Sequence, residues 1–193
     1  MARPEDRREI RDVRALAALA HPVRNALLAH LMAVGPRTAS ECAPAVGASA
    51  SNCSWHLRHL ARFGFVERVE GGADGRERPW RAAATGFDFS QVEQDQAPAT
   101  RAALQTLAAV QLDEQHRLAR RYLRGEDELP GDWRQAANLS TYGLLLSPAE
   151  LRELSTWLDA AIRPDIALTR EDAPADARPV HLFLSAFLRP EES

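Results

Sequence analysis

The stretch TASECAPAVGASASNCSWHLRHLARFGFV, residues 38–66, decides the fold because it holds two short helices with their starts and stops written out. Thr38-Ala39-Ser40-Glu41 is a capping box: the Thr38 hydroxyl can accept from the Glu41 amide while Glu41 reaches back to residue 38. A helix therefore starts at Ala39 and ends near Gly47, a residue suited to a left-handed C-cap. After the turn Gly47-Ala48-Ser49 a second helix runs from about Ala50 to Phe63 and is closed by Gly64. At 100° per residue, Cys53, Leu57 and Leu60 share one face of that second helix and are expected to pack inward. The opposite face gathers Ser51, Trp55, Arg58, His59 and Arg62, with Asn52 and His56 on one flank and Ser54 on the other. Asn can bond adenine bidentately, Arg can bond guanine or phosphate, and an indole can meet a thymine methyl.

Working outward, Ile10, Val13, Ala17 and Ala20 recur at helical spacing and predict a helix over 5–20. Pro22 suits the first turn of the next helix, whose buried face is Val23, Leu27, Leu28, Leu31 and Met32, and Gly35-Pro36 ends it. Downstream, residues 65–70 read as a strand, 71–75 as a glycine-rich loop tip and 78–81 as the returning strand. Helix, helix, short helix, turn, helix and hairpin is the winged helix-turn-helix order. Ser51, Asn52 and Trp55, in the first turns of the recognition helix, are placed to read bases, and Arg58, His59 and Arg62 to meet phosphates. Arg76 and Arg78, at the wing, join the candidate DNA contacts.

The run Ser54-Trp55-His56-Leu57-Arg58-His59-Leu60 followed by Gly64-Phe65-Val66 resembles the S-x-H-L-x-x-L...G-[LF]-V signature of ArsR-type regulators. Ala18-Leu19-Ala20-His21-Pro22-Val23-Arg24 resembles that family's second-helix opening. The resemblance spans about residues 10–84 and implies a dimeric repressor with a wing beside its recognition helix. His56 matches the signature histidine, which either caps local backbone or meets DNA.

The rest of the chain reads differently. Residues 85–98 form a connector, residues 99–124 a long alanine-rich helix with Leu104, Leu107, Val110, Leu118 and Tyr122, and residues 125–131 an acidic linker. Ser147-Pro148-Ala149-Glu150 combines a capping box with proline at the first helical position, and Leu151, Leu154, Leu158 and Ile162 mark one face of the helix it starts. Residues 139–146 and 180–188 have strand composition, which predicts a strand-helix-strand unit too small to stand alone. The expected fold class is mostly α with small β: a winged helix-turn-helix domain over 1–85, a connector and long dimerisation helix over 86–131, and a small α+β C-terminal unit over 132–193. Trp133, Tyr142, Trp157, His181, Phe183 and Phe187 are core, dimer surface or the lining of a ligand pocket, with the first five the candidate pocket.

Charge supports the division. The 193 residues carry a formal net charge of -3, but residues 1–85 hold 13 arginines against 9 acids and the remainder 11 against 18. There is no lysine, so every fixed cation is a guanidinium suited to bidentate contact. No apolar run approaches the ~20 residues of a bilayer span, and a cytoplasmic chain with no membrane partner is expected. The resemblance to ArsR-type regulators, which often sense metals through clustered cysteines, makes Cys42, Cys53, His56 and His59 the set to test as ligands. Cys53 points inward while His59 lies about 240° around the same helix, so they do not converge, and both thiols are expected as buried small hydrophobes. The sequence contains no G-x-S-x-G, P-loop, G-x-G-x-x-G or H-E-x-x-H motif. No enzyme activity, metal or cofactor is expected. The expected function is a sequence-specific DNA-binding transcriptional regulator, a repressor acting as a homodimer on duplex DNA, with a small-molecule effector left open. The alternative is a ligand-binding or protein-interaction module whose winged helix does not contact DNA.

Overall fold

A computed structural model describes residues 7–69, 78–89, 92 and 97–190. Helix α1 (Val13–Leu19) begins where the Asp12 carboxylate accepts from the Arg14 amide at 2.9 Å. Helix α2 (Pro22–Val34) opens on its proline and stops at Gly35, and it buries Leu27, Leu28 and Leu31. Helix α3 (Ala39–Val46) has both arms of its capping box, Glu41 amide to Thr38 hydroxyl at 3.2 Å and Thr38 amide to Glu41 carboxylate at 2.7 Å. Gly47 follows at φ 65°, the left-handed C-cap that its position requires. Helix α4 (Ala50–Arg62) is capped by Ser49, whose hydroxyl accepts from the Asn52 amide at 3.2 Å.

The N-terminal expectation needs correcting. Of the predicted helix over 5–20, residues 5 and 6 lie outside the described residues and helix begins only at Val13. Before it, strand β1 (Arg8–Glu9) lies parallel to β4 (Phe87–Asp88), and the Ile10 amide donates to the Asp88 carbonyl at 2.8 Å. Ile10 is buried, but from extended backbone and not as part of a helical stripe. With the helix starting later, its inward residues are Ala15, Leu16, Ala18 and Leu19, and Ala17 is exposed. The parallel pair brings Arg8 across to the turn after α4, where its Nη1 donates to the Gly64 carbonyl at 3.0 Å. Gly64 sits at φ 72°, and a Cβ there would come within 3.0 Å of the same guanidinium. A side chain there would be strained by the backbone conformation and would crowd that guanidinium.

Strands β2 (Val66–Arg68) and β3 (Trp80–Ala82) form the antiparallel wing, with Val66 opposite Ala82 and Arg68 opposite Trp80. Glu67 and Arg81 make a cross-strand pair, with Arg81 Nε donating to Glu67 at 2.7 Å. Arg37, just before α3, exchanges two backbone hydrogen bonds with Trp80, at 2.9 and 2.7 Å, and so ties the hairpin to the helix-turn-helix. The predicted loop tip over 71–75 and Arg76 lie outside the described residues.

Helix α5 (Pro98–Gly125) packs its first half against α1 and α2, with Thr100 and Leu107 buried and Ala103 and Leu104 against the core. The apolar faces of α1 and α5 therefore cover one another within the chain, although the sequence reading gave the long helix to dimerisation. A 3-10 turn (Glu126–Glu128) and short α6 (Gly131–Ala136) follow. Helix α7 (Pro148–Ile162) carries the expected capping box, Ser147 amide to Glu150 at 2.8 Å and Glu150 amide to Ser147 at 3.3 Å. The stretches 139–146 and 180–188, predicted as strands, have no regular secondary structure. Beyond Leu107, Leu168 is the residue that joins the hydrophobic cluster.

Arg24 explains how α1 ends without a side-chain cap of its own. Its guanidinium, on α2 and nearly buried, donates through Nη2 to the Ala17 carbonyl at 3.1 Å and through Nε to that of Ala18. Two carbonyls orphaned at the C-terminus of α1 thereby gain a charged donor. Replacement of Arg24 by Met keeps the apolar stem and removes both bonds, and should cost about 2 kcal/mol in urea unfolding. An unchanged midpoint would mean that those carbonyls need no donor from α2.

Candidate nucleic-acid interface

Helix α4 is divided lengthwise. Cys53, Leu57 and Leu60 have no exposed surface, and they pack with Leu27, Leu31, Cys42 and Phe65 in one cluster. On the other side Ser51, Asn52, Trp55, Arg58 and Arg62 are exposed, and Ser54 and His59 are half-buried. Seven of the eight residues assigned to DNA on this helix thus share its accessible side. His56 does not, being buried to 5 % exposure against α2.

The reason lies in a stack of rings. The His56 imidazole packs on His21, the residue preceding α2, with centroids 4.6 Å apart. Trp55 meets His56 edge-on at 4.8 Å and lies nearly parallel to His59 at 5.7 Å, with an interplanar angle of 20°. His59 in turn leans on Phe63 at 5.5 Å. Trp55 remains 54 % exposed, so its indole rests on His56 and His59 while the rest of it stays open. A flat apolar surface fixed in that way suits a thymine methyl or a sugar, and immobilising it in advance lowers the ordering cost of contact.

Burial, with Arg24 and Arg62 close by, pushes the His59 imidazole below its ordinary range. Neutral His59 at pH 7 is a hydrogen-bonding group and a support for Trp55, which differs from the phosphate cation that sequence position implied. Fixed charge on this side comes from Arg58 and Arg62, and the basic end of the helix complements its dipole. On the wing, Arg68 lies over the Trp80 ring with its guanidinium carbon 4.1 Å from the centroid, and its Nη1 donates to the Arg78 carbonyl at 2.9 Å. Arg78 is exposed. Arg24 and Arg68 are the residues that sequence reading missed. The first stands in the motif Ala18–Arg24 that carried the family resemblance, and the second shares a strand face with buried Val66, so alternation gave it no outward signal.

Cys42 and Cys53 are both fully buried, and burial, with Cys53 nearby, pushes the Cys42 thiol up to about 11. Among the described residues no group of three or more His, Cys, Asp or Glu is placed to hold a metal ion. Of the five candidate pocket residues, Trp157 lines a depression. That shallow depression beside α7 is lined by Arg152, Glu153, Thr156 and Trp157 among others, and includes none of Trp133, Tyr142, His181 or Phe183. Trp133 is half-buried with Arg178 5.8 Å from its ring, while Tyr142 and Phe183 are exposed.

A family model described as a helix-turn-helix domain matches residues 19–69. Residues 19–69 form a helix-turn-helix domain. The β2–β3 hairpin gives it the winged form that the ArsR-type resemblance implies. Among solved structures the chain is similar to the homodimeric winged helix-turn-helix DNA-binding domain (fragment 1–100) of Mb0332 from Mycobacterium bovis, described as a possible ArsR-family transcriptional regulator. That likeness has 24% identity over 53% of this chain and 76% of the other, with a TM-score of 0.34. A second, RV1404 from Mycobacterium tuberculosis, has 14% identity over 76% of this chain and 81% of that one, with a TM-score of 0.31. No curated protein matches the chain. No helix among the described residues is long and apolar enough to cross a membrane.

The ring stack makes stability depend on pH. Burial above all, then His21, Arg24 and His59, lowers His56 from 6.5 to about 4. Because the folded value lies below the unfolded one, stability is complete above pH 6.5 and drains away as pH falls toward 4. Between pH 7 and pH 5 the loss through His56 should be about 2 kcal/mol, the unfolded chain taking up a proton that the folded one refuses. Urea unfolding at the two pH values measures it. The His56→Phe variant should lose most of that difference, and an equal difference in variant and wild type would remove His56 as its source.

Proposed function

We propose that this protein is a sequence-specific DNA-binding transcriptional regulator that acts as a homodimer and represses its targets. The observation that carries the reading is the exposed side of α4, where Ser51, Asn52, Trp55, Arg58 and Arg62 stand together on a helix whose other side is locked into the core. Hydroxyl, carboxamide and indole in the first turns offer groups for base edges, and the guanidinium groups farther along offer groups for phosphates. The wing supports the same reading through Arg68 and Arg78, and the basic excess of residues 1–85 favours association with a polyanion. A twofold dimer would present two such helices to a pseudo-palindrome with half-site centres about 34–36 Å apart. Repression follows from the family resemblance, and the effector, if the protein has one, is unassigned.

A protein-interaction module is the reading from another class, and it predicts no affinity for duplex DNA at low salt. A gel shift on the promoter of the protein's own operon separates the two. Two substitutions test the roles within α4. Arg62→Ala should weaken binding to every duplex and reduce the salt slope by about one unit. Asn52→Ala should cost roughly 1–3 kcal/mol on the operator and leave random duplex binding unchanged. Equal losses on operator and random DNA for both variants would remove the division between base-reading and phosphate-binding residues.

A further inference from the structure

The winged helix-turn-helix consumes its own apolar surface, and the tail does not. Residues 139–146 (LSTYGLLL) and 180–188 (VHLFLSAFL) contain no Asp, Glu or Arg, and they are rich in strand-forming residues. Both run without regular structure and without a strand partner among the described residues. Leu145 is 100% exposed, Leu188 92%, Tyr142 76% and Phe187 72%, and Trp157 on the intervening α7 is 66% exposed. Together the two segments and α7 expose apolar side-chain surface on the order of 1,000 Å², above the few hundred typical of a monomer's largest patch and near the ~800 Å² each partner contributes to a stable complex. An uncharged, apolar segment of strand-forming residues left unpaired is a pairing template of the kind that natural chains ordinarily blunt or cover.

The core of the same chain is closed, since α1, α2 and the first half of α5 bury one another and the last core residue of α5 is Leu107. From there α5 continues to Gly125, about 27 Å at 1.5 Å per residue, and of the tail that follows Leu168 packs back against the core. The second segment touches the outer half of α5 where His181 Nε2 meets Gln115 Oε1, next to buried Glu114 and its partner Arg117 at 2.7 Å. It is therefore fixed on one side and open on the other. The required cover is a strand surface of matching length without charge, and a second copy of this chain offers two.

We propose that residues 139–146 and 180–188 are the dimerisation surface, pairing as strands with the same segments of a second copy around a twofold axis. A closed twofold arrangement uses both edges of both chains and leaves none free to recruit further copies. The inference rests on the dimeric DNA-binding reading above and names the surface that holds the dimer together.

Sedimentation of the full-length chain tests it. Wild type should sediment near twice 21.3 kDa at micromolar concentration, with amide exchange slowed across both segments. The double variant Leu145→Asp/Leu184→Asp changes side chains already facing solvent, so the N-terminal domain should unfold at an unchanged midpoint. It should sediment near 21.3 kDa, exchange both segments rapidly, keep its low-salt affinity for random duplex and lose roughly tenfold or more on an inverted repeat. The control Leu112→Asp/Leu123→Asp, on the exposed side of α5, should remain dimeric. A monomeric wild type with protected segments would show that they close within one chain and overturn the proposal, as would open-ended aggregates. A dimer broken by the α5 control and not by the tail variant would place the interface on the long helix. Failure of the DNA reading looks different: no duplex is bound at low salt while the dimer mass is unaffected.

Discussion

Burial of one face of α4 is the constraint on which the rest depends. Cys53, Leu57 and Leu60 reach zero exposure against α2, α3 and Phe65, and a helix locked over that arc has no rotational freedom left. The polar arc must then face outward at a fixed angle, whatever it binds. The flanking devices serve the same end. Ser49 and Gly64 set where the helix starts and stops, the Arg8 guanidinium holds the turn that follows, and the Arg37–Trp80 rung fixes the wing to α3. An outward face can be polar only because the inward one is held by contacts that do not involve it.

Between those layers lies a cluster that is neither plain core nor plain surface. His21, Arg24 and His56 meet where α1 ends, α2 begins and α4 passes. A buried guanidinium is tolerated because two backbone carbonyls accept from it. Burial above all, with the Arg24 charge as a lesser cause, disfavours protonation of the neighbouring imidazoles. Neutral rings stack where charged ones would repel, and the stack extends through Trp55 to His59. The signature histidine thus acts on the exposed face indirectly, by supporting the indole that stands on it.

How much of this could be read in the sequence depends on how local the cause is. Both capping boxes, Thr38–Glu41 and Ser147–Glu150, and the stops at Gly47 and Gly64 are short-range hydrogen-bond or backbone requirements, and each is visible in a few residues. The face of α4 followed from a period of 3.6 applied to a helix with clear ends. The β1–β4 pair was invisible because two residues per strand carry no period, and Ile10 fell by chance on a helical stripe with Val13. Arg24 was visible as a residue but not as a cap, because its acceptors belong to the end of the preceding helix. The tail shows the converse limit: 139–146 and 180–188 have the composition of strands, but a strand is a relation between two segments, and composition names only one of them.

The long helix sets the mechanical relation between the two halves. Its first half is embedded, with Thr100 and Leu107 buried against α1 and α2, and its second half bears Glu114 and Gln115 against the tail. An α-helix transmits displacement along its length because every turn is hydrogen-bonded to the next. Leu107 is where this helix meets the α1–α2 layer. That layer holds His21 and Arg24, and through them the ring stack beneath Trp55. The path from the tail to the exposed side of α4 consists of packed side chains and one rigid element, without a flexible joint between Pro98 and Gly125 among the described residues. Spatial continuity of this kind becomes coupling only if the tail has two arrangements of comparable free energy. Segments that pair with a second copy, as proposed above, would provide two such arrangements, paired and unpaired.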